Sequence, residues 1–71
     1  MTAVQEYKEC VADHIAVRFS MSFEMAMAAM EKSGINRIID DSPIVGTHYA
    51  PEEWEENIEA FLRREALRAN G

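Results

Sequence analysis

The sequence has one cysteine, two prolines, three glycines and one tryptophan among 71 residues. A single thiol, Cys10, excludes an intramolecular disulfide framework and points to a reducing, cytoplasmic setting. So few Gly and Pro leave little material for the repeated tight turns of an all-β domain. Basic residues are also few: seven Lys and Arg stand against thirteen Asp and Glu, a net charge of -6. A chain with a pI near 4.7 lacks the basic face that phosphate binding needs, so nucleic acid is not an expected partner. Arg63, Arg64 and Arg68 cluster, but Glu59 and Glu65 interrupt them. No charge-free stretch approaches the ~20 residues that cross a bilayer. The first residues carry neither a basic region nor an apolar one, so neither a membrane nor a secretory route is expected. Met1 and Gly71 read as the ends of a whole gene product.

What the chain does have is alanine and methionine. Ten Ala and five Met raise the apolar share to 48%. That is the profile of a small helical globule. Area scaling gives a folded surface of roughly 4,500 Å² for this mass, enough for one core and no second domain. Residues 1–71 are therefore read as a single small helical domain. Its fold is marginal alone, and a partner or a second copy would help it.

Sparse punctuation divides the chain into three helical segments and one irregular stretch. Over residues 2–19, Val4, Tyr7, Val11, Ile15 and Phe19 recur every three or four positions, which predicts an amphipathic helix. The second segment starts at Ser22, an N-cap, with Glu24 in the first turn. Gly34 stands where a left-handed residue stops a helix, and Ile35 follows as the cap's apolar contact. Asn36 to Asp41 adds a further helical turn. Ile44 to Tyr49 reads as an ordered loop, with a small hairpin as the alternative. The third helix begins at Ala50-Pro51-Glu52-Glu53, with Pro at its first position and carboxylates in its first turn. Trp54, Ile58, Phe61 and Leu62 form its stripe, and Glu59 and Arg63 are a well-oriented i,i+4 pair.

Several residue groups invite a chemical reading. Cys10 and His14 share a helix face and, with His48, offer three metal ligands. No CxxC, HExxH or fourth ligand accompanies them, so a small buried thiol and a half-buried histidine are the expectation, and no metal. The same pair as nucleophile and base lacks an orienting third group, and Asp13 points elsewhere; no catalytic residue is assigned. The glutamates of the third helix could mimic a phosphate backbone, but helix-start chemistry explains them. The second helix, the Ser33-Gly34 turn and the following turn are helix-turn-helix-like. A recognition helix there would offer Asn36 and Arg37 against Asp40 and Asp41, which repel phosphates. The most informative feature is the run Met25 to Met30, apolar at every position, with Met21 just before the helix that carries it. A helix apolar all round is central in a bundle or part of an interface, and methionine suits adaptable binding surfaces. Met21, Met25, Ala28 and Ala29 are the candidate interface.

The segments Met21-Ser22-Phe23-Glu24-Met25-Ala26, Lys32-Ser33, Asp40-Asp41 and Tyr49-Ala50-Pro51-Glu52 resemble those of a loose group of short bacterial all-helical proteins of unknown function, over residues 10–62. Some members of that group neighbour toxin-type genes, which implies a binding role and transfers no catalytic residue.

The resulting expectation is an all-α fold, a three-helix bundle with a structured loop between helices two and three. Its core would be Val4, Tyr7, Val11, Ile15, Phe19, Phe23, Met27, Met30, Ile35, Ile38, Ile39, Trp54, Ile58, Phe61 and Leu62. The expected function is that of a non-enzymatic protein–protein interaction or self-association module without a cofactor, acting through its Met/Ala-rich helix. The alternative is a small regulator of nucleic-acid transactions.

Overall fold

A computed structural model describes residues 2–70, with the side chains of Val45 and Asn70 excepted, so the end residues Met1 and Gly71 lie outside the description. It is all-α, with no strand among the described residues. Helix α1 spans Ala3–Arg18, α2 Phe23–Ser33, α3 Ile35–Asp41, α4 is the single turn Pro43–Gly46, and α5 spans Glu55–Asn70 after a 3-10 turn at Pro51–Trp54. The three-helix count is therefore too low. Residues 35–41 form a separate helix, because left-handed Gly34 breaks the axis after α2. The expected loop at Ile44 to Tyr49 is half helical, since α4 covers its beginning. Ser42 and Pro43 carbonyls accept from Gly46 and Thr47, which leaves no edge for a hairpin.

The helix ends follow local chemistry. Thr2 Oγ1 accepts from the Gln5 amide and Ser22 Oγ from the Met25 amide, each at 3.1 Å, so α1 and α2 both have side-chain N-caps. Gly34, at φ 89°, closes α2 and opens α3 in one residue, a conformation that a side chain would strain. Pro51 stands at the first helical position of the 3-10 turn. Helix α1 ends differently. Ser20 takes the left-handed conformation, φ 54°, and the Met21 amide reaches back five residues to the Ala16 carbonyl at 3.0 Å. This is a Schellman closure built on serine. A Ser20→Gly change relieves the strain of that φ and is expected to raise the thermal midpoint, by about 0.5–1 kcal/mol of stability. An unchanged midpoint in a calorimetric scan would refute that account.

The core is one cluster: Val11, Ala12, Ile15, Ala26, Ala29, Met30, Ile35, Ile39, Trp54, Ile58 and Phe61. Val4, Tyr7, Phe19, Met27 and Leu62 pack on its rim, half-buried. Two expected core residues, Phe23 and Ile38, are exposed. Phe23 opens α2 on its outer side, 41% exposed, while Ala26 in the same turn carries the buried side. Ile38 lies on the flank of α3, and Ile35 and Ile39 supply its buried edge. Three alanines replace them. Ala12 on α1 faces the same core as Ala26 and Ala29 on α2. Short side chains let two helix backbones approach, so alanines bury fully where aromatics would hold the axes apart.

Polar ties fix α1 to the second half of the chain. Trp54 Nε1 donates to Tyr7 Oη at 2.8 Å, and Tyr7 Oη donates to the Tyr49 carbonyl at 2.5 Å. Lys8 Nζ meets Asp40 Oδ1 at 2.6 Å. The expected Glu59–Arg63 pair is formed at 2.7 Å. The fold is elongated, 39 × 22 × 18 Å. It exposes 4896 Å², roughly 400 Å² more than area scaling gives for a compact monomer.

Candidate interaction surface

Helix α2 presents the residues singled out by its apolar run, but not all in one environment. Met21 is half-buried, Met25 is 61% exposed and Ala28 is exposed. Ala29 is only 6% exposed and belongs to the core. It is withdrawn from the outer surface, because it is one of the small residues that seat α2 in the bundle. The apolar run therefore serves two ends at once. Ala26, Ala29 and Met30 turn inward, while Met25 and Ala28 remain uncovered.

These residues meet α5 in a shallow groove of about 240 Å³. Met21, Met25, Ala28 and Ala29 form one wall, Phe61 and Leu62 the other, and Lys32 and Glu65 are its charged members. Spacing explains most of the α2 wall: positions 25, 28, 29 and 32 fall on one stripe of a 3.6-residue helix, and Met21 joins them from just before the Ser22 cap. The α5 wall was not singled out in the sequence. Phe61 and Leu62 read only as core there, and the signal of a groove needs two helices side by side. Among the described residues Lys32 forms no ion pair, and Glu65 has only a loose 3.6 Å contact with Arg68 one turn on.

The other sequence candidates are dispersed. Cys10 is an exposed thiol, contrary to the buried one expected, because it falls outside the Val11–Ile15 stripe. His14 is half-buried, and its Nε2 lies 2.9 Å from Glu55 Oε1, with Arg18 Nε at 3.7 Å from the same oxygen. That carboxylate joins α1 to the start of α5, and His14 faces it rather than Cys10 or Asp13. His48 is exposed in the connection after α4. Among the described residues no three His, Cys, Asp or Glu side chains converge as a metal site. On α3, the Asn36 side-chain amide donates to Glu31 at 2.8 Å and Asp40 is paired with Lys8. Arg37 is left as the helix's one cation, beside two aspartates. Among the described residues no helix is long and apolar enough to cross a membrane. No family model, curated protein or solved structure matches the chain.

Proposed function

We propose that this chain is a non-catalytic protein–protein interaction module whose partner is a second copy of itself, docked groove to groove along α2 and α5. The observation that carries this reading is the groove's own composition. Its apolar walls, with Met25 61% exposed, end in one lysine that is unpaired among the described residues and one weakly engaged glutamate. In a twofold interface residue i meets j and j meets i. Lys32 against the partner's Glu65 would then occur twice, around a centre of Met, Ala, Phe and Leu. Methionine adapts its three torsions to such a contact, and alanine lets the helices come close. A reducing compartment suits the association, since exposed Cys10 remains a thiol there.

Light scattering behind size exclusion, over a concentration series, tests the reading. The expected mass is twice the 8.1 kDa of one chain. Met25→Glu should weaken the dimer at least tenfold, by placing a carboxylate in its apolar centre. Lys32→Glu and Glu65→Lys should each dissociate, and an equimolar mixture of the two should recover a heterodimer. A concentration-independent single-chain mass would overturn self-association, leaving the groove for an unrelated protein.

A further inference from the structure

A second recess lies on another side of the molecule, between α3 and the start of α5. It encloses about 320 Å³ and is lined by Ile38, Tyr49, Glu53, Trp54 and Asn57. That volume is at the small end for ligand pockets, large enough for one extended side chain. Two of its walls are aromatic. The rings of Tyr49 and Trp54 stand at 82° with centroids 5.7 Å apart, so they make a corner. Ile38 is 48% exposed and Tyr49 45%. Each is a large apolar side chain left open beside the buried indole, and they face one shared space. Glu53 lines the same recess, and its carboxylate forms no ion pair among the described residues. Asn57 is the other polar member of the lining.

The corner is held in place before any ligand arrives. The Trp54 indole donates to Tyr7, and Tyr7 donates to the backbone carbonyl of Tyr49. The Tyr7 phenol thus holds the Trp54 indole and the backbone that carries Tyr49, so the two positions that form the corner are fixed relative to each other. Preorganisation of this kind lowers the ordering cost of binding.

We propose that this recess binds an alkylguanidinium, the chemistry of an arginine side chain. The methylene stem would lie on the exposed Ile38, and the head group would meet Glu53 and the Tyr49 ring. A flat cation is favoured over an ammonium because guanidinium is weakly hydrated, stacks on aromatic faces and pairs bidentately with a carboxylate. The surrounding charge has the right sign: Glu52 and Glu56 are exposed close by in sequence, and the chain carries a net charge of -6. This site is independent of the α2/α5 groove.

Trp54 is the sole tryptophan, so indole emission reports the recess directly. The test titrates the whole protein with butylguanidinium, with acetyl-Ala-Arg-Ala-amide, and with the same peptide carrying uncharged citrulline. Both cations should shift the emission saturably, with Kd of about 1–10 mM. Tighter binding of the peptide would place the arginine in a partner's chain, and equal binding would place it in a small molecule. Glu53→Gln should weaken both about fivefold, the loss of one exposed ion pair. Glu52→Gln makes the same charge change outside the recess and should leave binding within error. Tyr49→Ala should weaken binding about threefold. Equal loss in the two Glu variants would mean diffuse attraction and overturn the site. So would equal binding of the citrulline peptide, or a linear response without saturation.

Discussion

Ile39→Ala is expected to lower the unfolding free energy by about 3 kcal/mol, and Ile38→Ala, one residue earlier, by less than about 1 kcal/mol. The two side chains are chemically identical and share helix α3. Ile39 is fully buried, and the backbone of Gly46 is packed against it: a Cβ placed on that glycine would lie 3.1 Å from Ile39 Cα. So close a backbone cannot collapse into the space of a lost side chain, and the cavity remains. Ile38 flanks the open recess, where truncation removes only partial contacts. A chain of this size has a total stability of about 4–11 kcal/mol, so the first change removes a large share of it. Urea denaturation followed by helical circular dichroism, below the concentration of any association, measures both. Equal costs would mean that Ile38 is covered in solution.

Tyr7→Phe is expected to cost about 2 kcal/mol, and to remove one component of the alkaline loss of stability. The phenol is both acceptor and donor in the chain from Trp54 to the Tyr49 carbonyl. Phenylalanine keeps the ring but leaves the Trp54 N–H, on an indole 5% exposed, without its partner. An unmet buried donor costs more than the bond itself contributes. The pH dependence follows from the same contacts. Burial holds the Tyr7 phenol above its ordinary value of 10.0; the Trp54 bond works against this, and the nearby Glu53 and Glu52 charges add to it. The unfolded chain therefore ionises first. The contribution of Tyr7 is fully present below pH 10.0 and is lost as pH rises through the higher folded value. The gap between the thermal midpoints of wild type and Tyr7→Phe should narrow as pH rises through that value. Parallel curves would show that the phenol does not titrate in this environment.

Much of the fold is legible in the residues, because helix ends are made by groups a few positions apart. Ser22 caps Met25, Gly34 stops α2, Pro51 starts a helical turn, and Glu59 meets Arg63, all within four residues. The stripe Val11, Ile15, Met30, Ile35, Ile58 and Phe61 is legible for the same reason, since 3.6 periodicity is a local property. Periodicity does not decide between neighbours on one stripe. Ile35, Ile38 and Ile39 all satisfy i, i+3, i+4, and only the position of α3 against the rest of the bundle separates Ile38 from its companions. Nor does it say how closely helices approach, which is why Ala12, Ala26 and Ala29 enter the core in place of Phe23.

The candidate surface divides in the same way. Met21, Met25 and Ala28 are visible as a stripe on α2, and Ala29 belongs to that stripe until the neighbouring helices claim it. Phe61, Leu62 and Glu65 complete the groove from 29 to 36 residues beyond Ala29 and Lys32. Tyr7, Tyr49 and Trp54 come together across as many as 47 positions. Sequence by itself determined the helical class, the caps and the inward stripes of this protein, through interactions that close within one or two turns. The pairing of that α2 stripe with α5, and the meeting of Ile38 with the Tyr49–Trp54 corner, came only from the tertiary fold, because long-range packing sets which helices lie side by side.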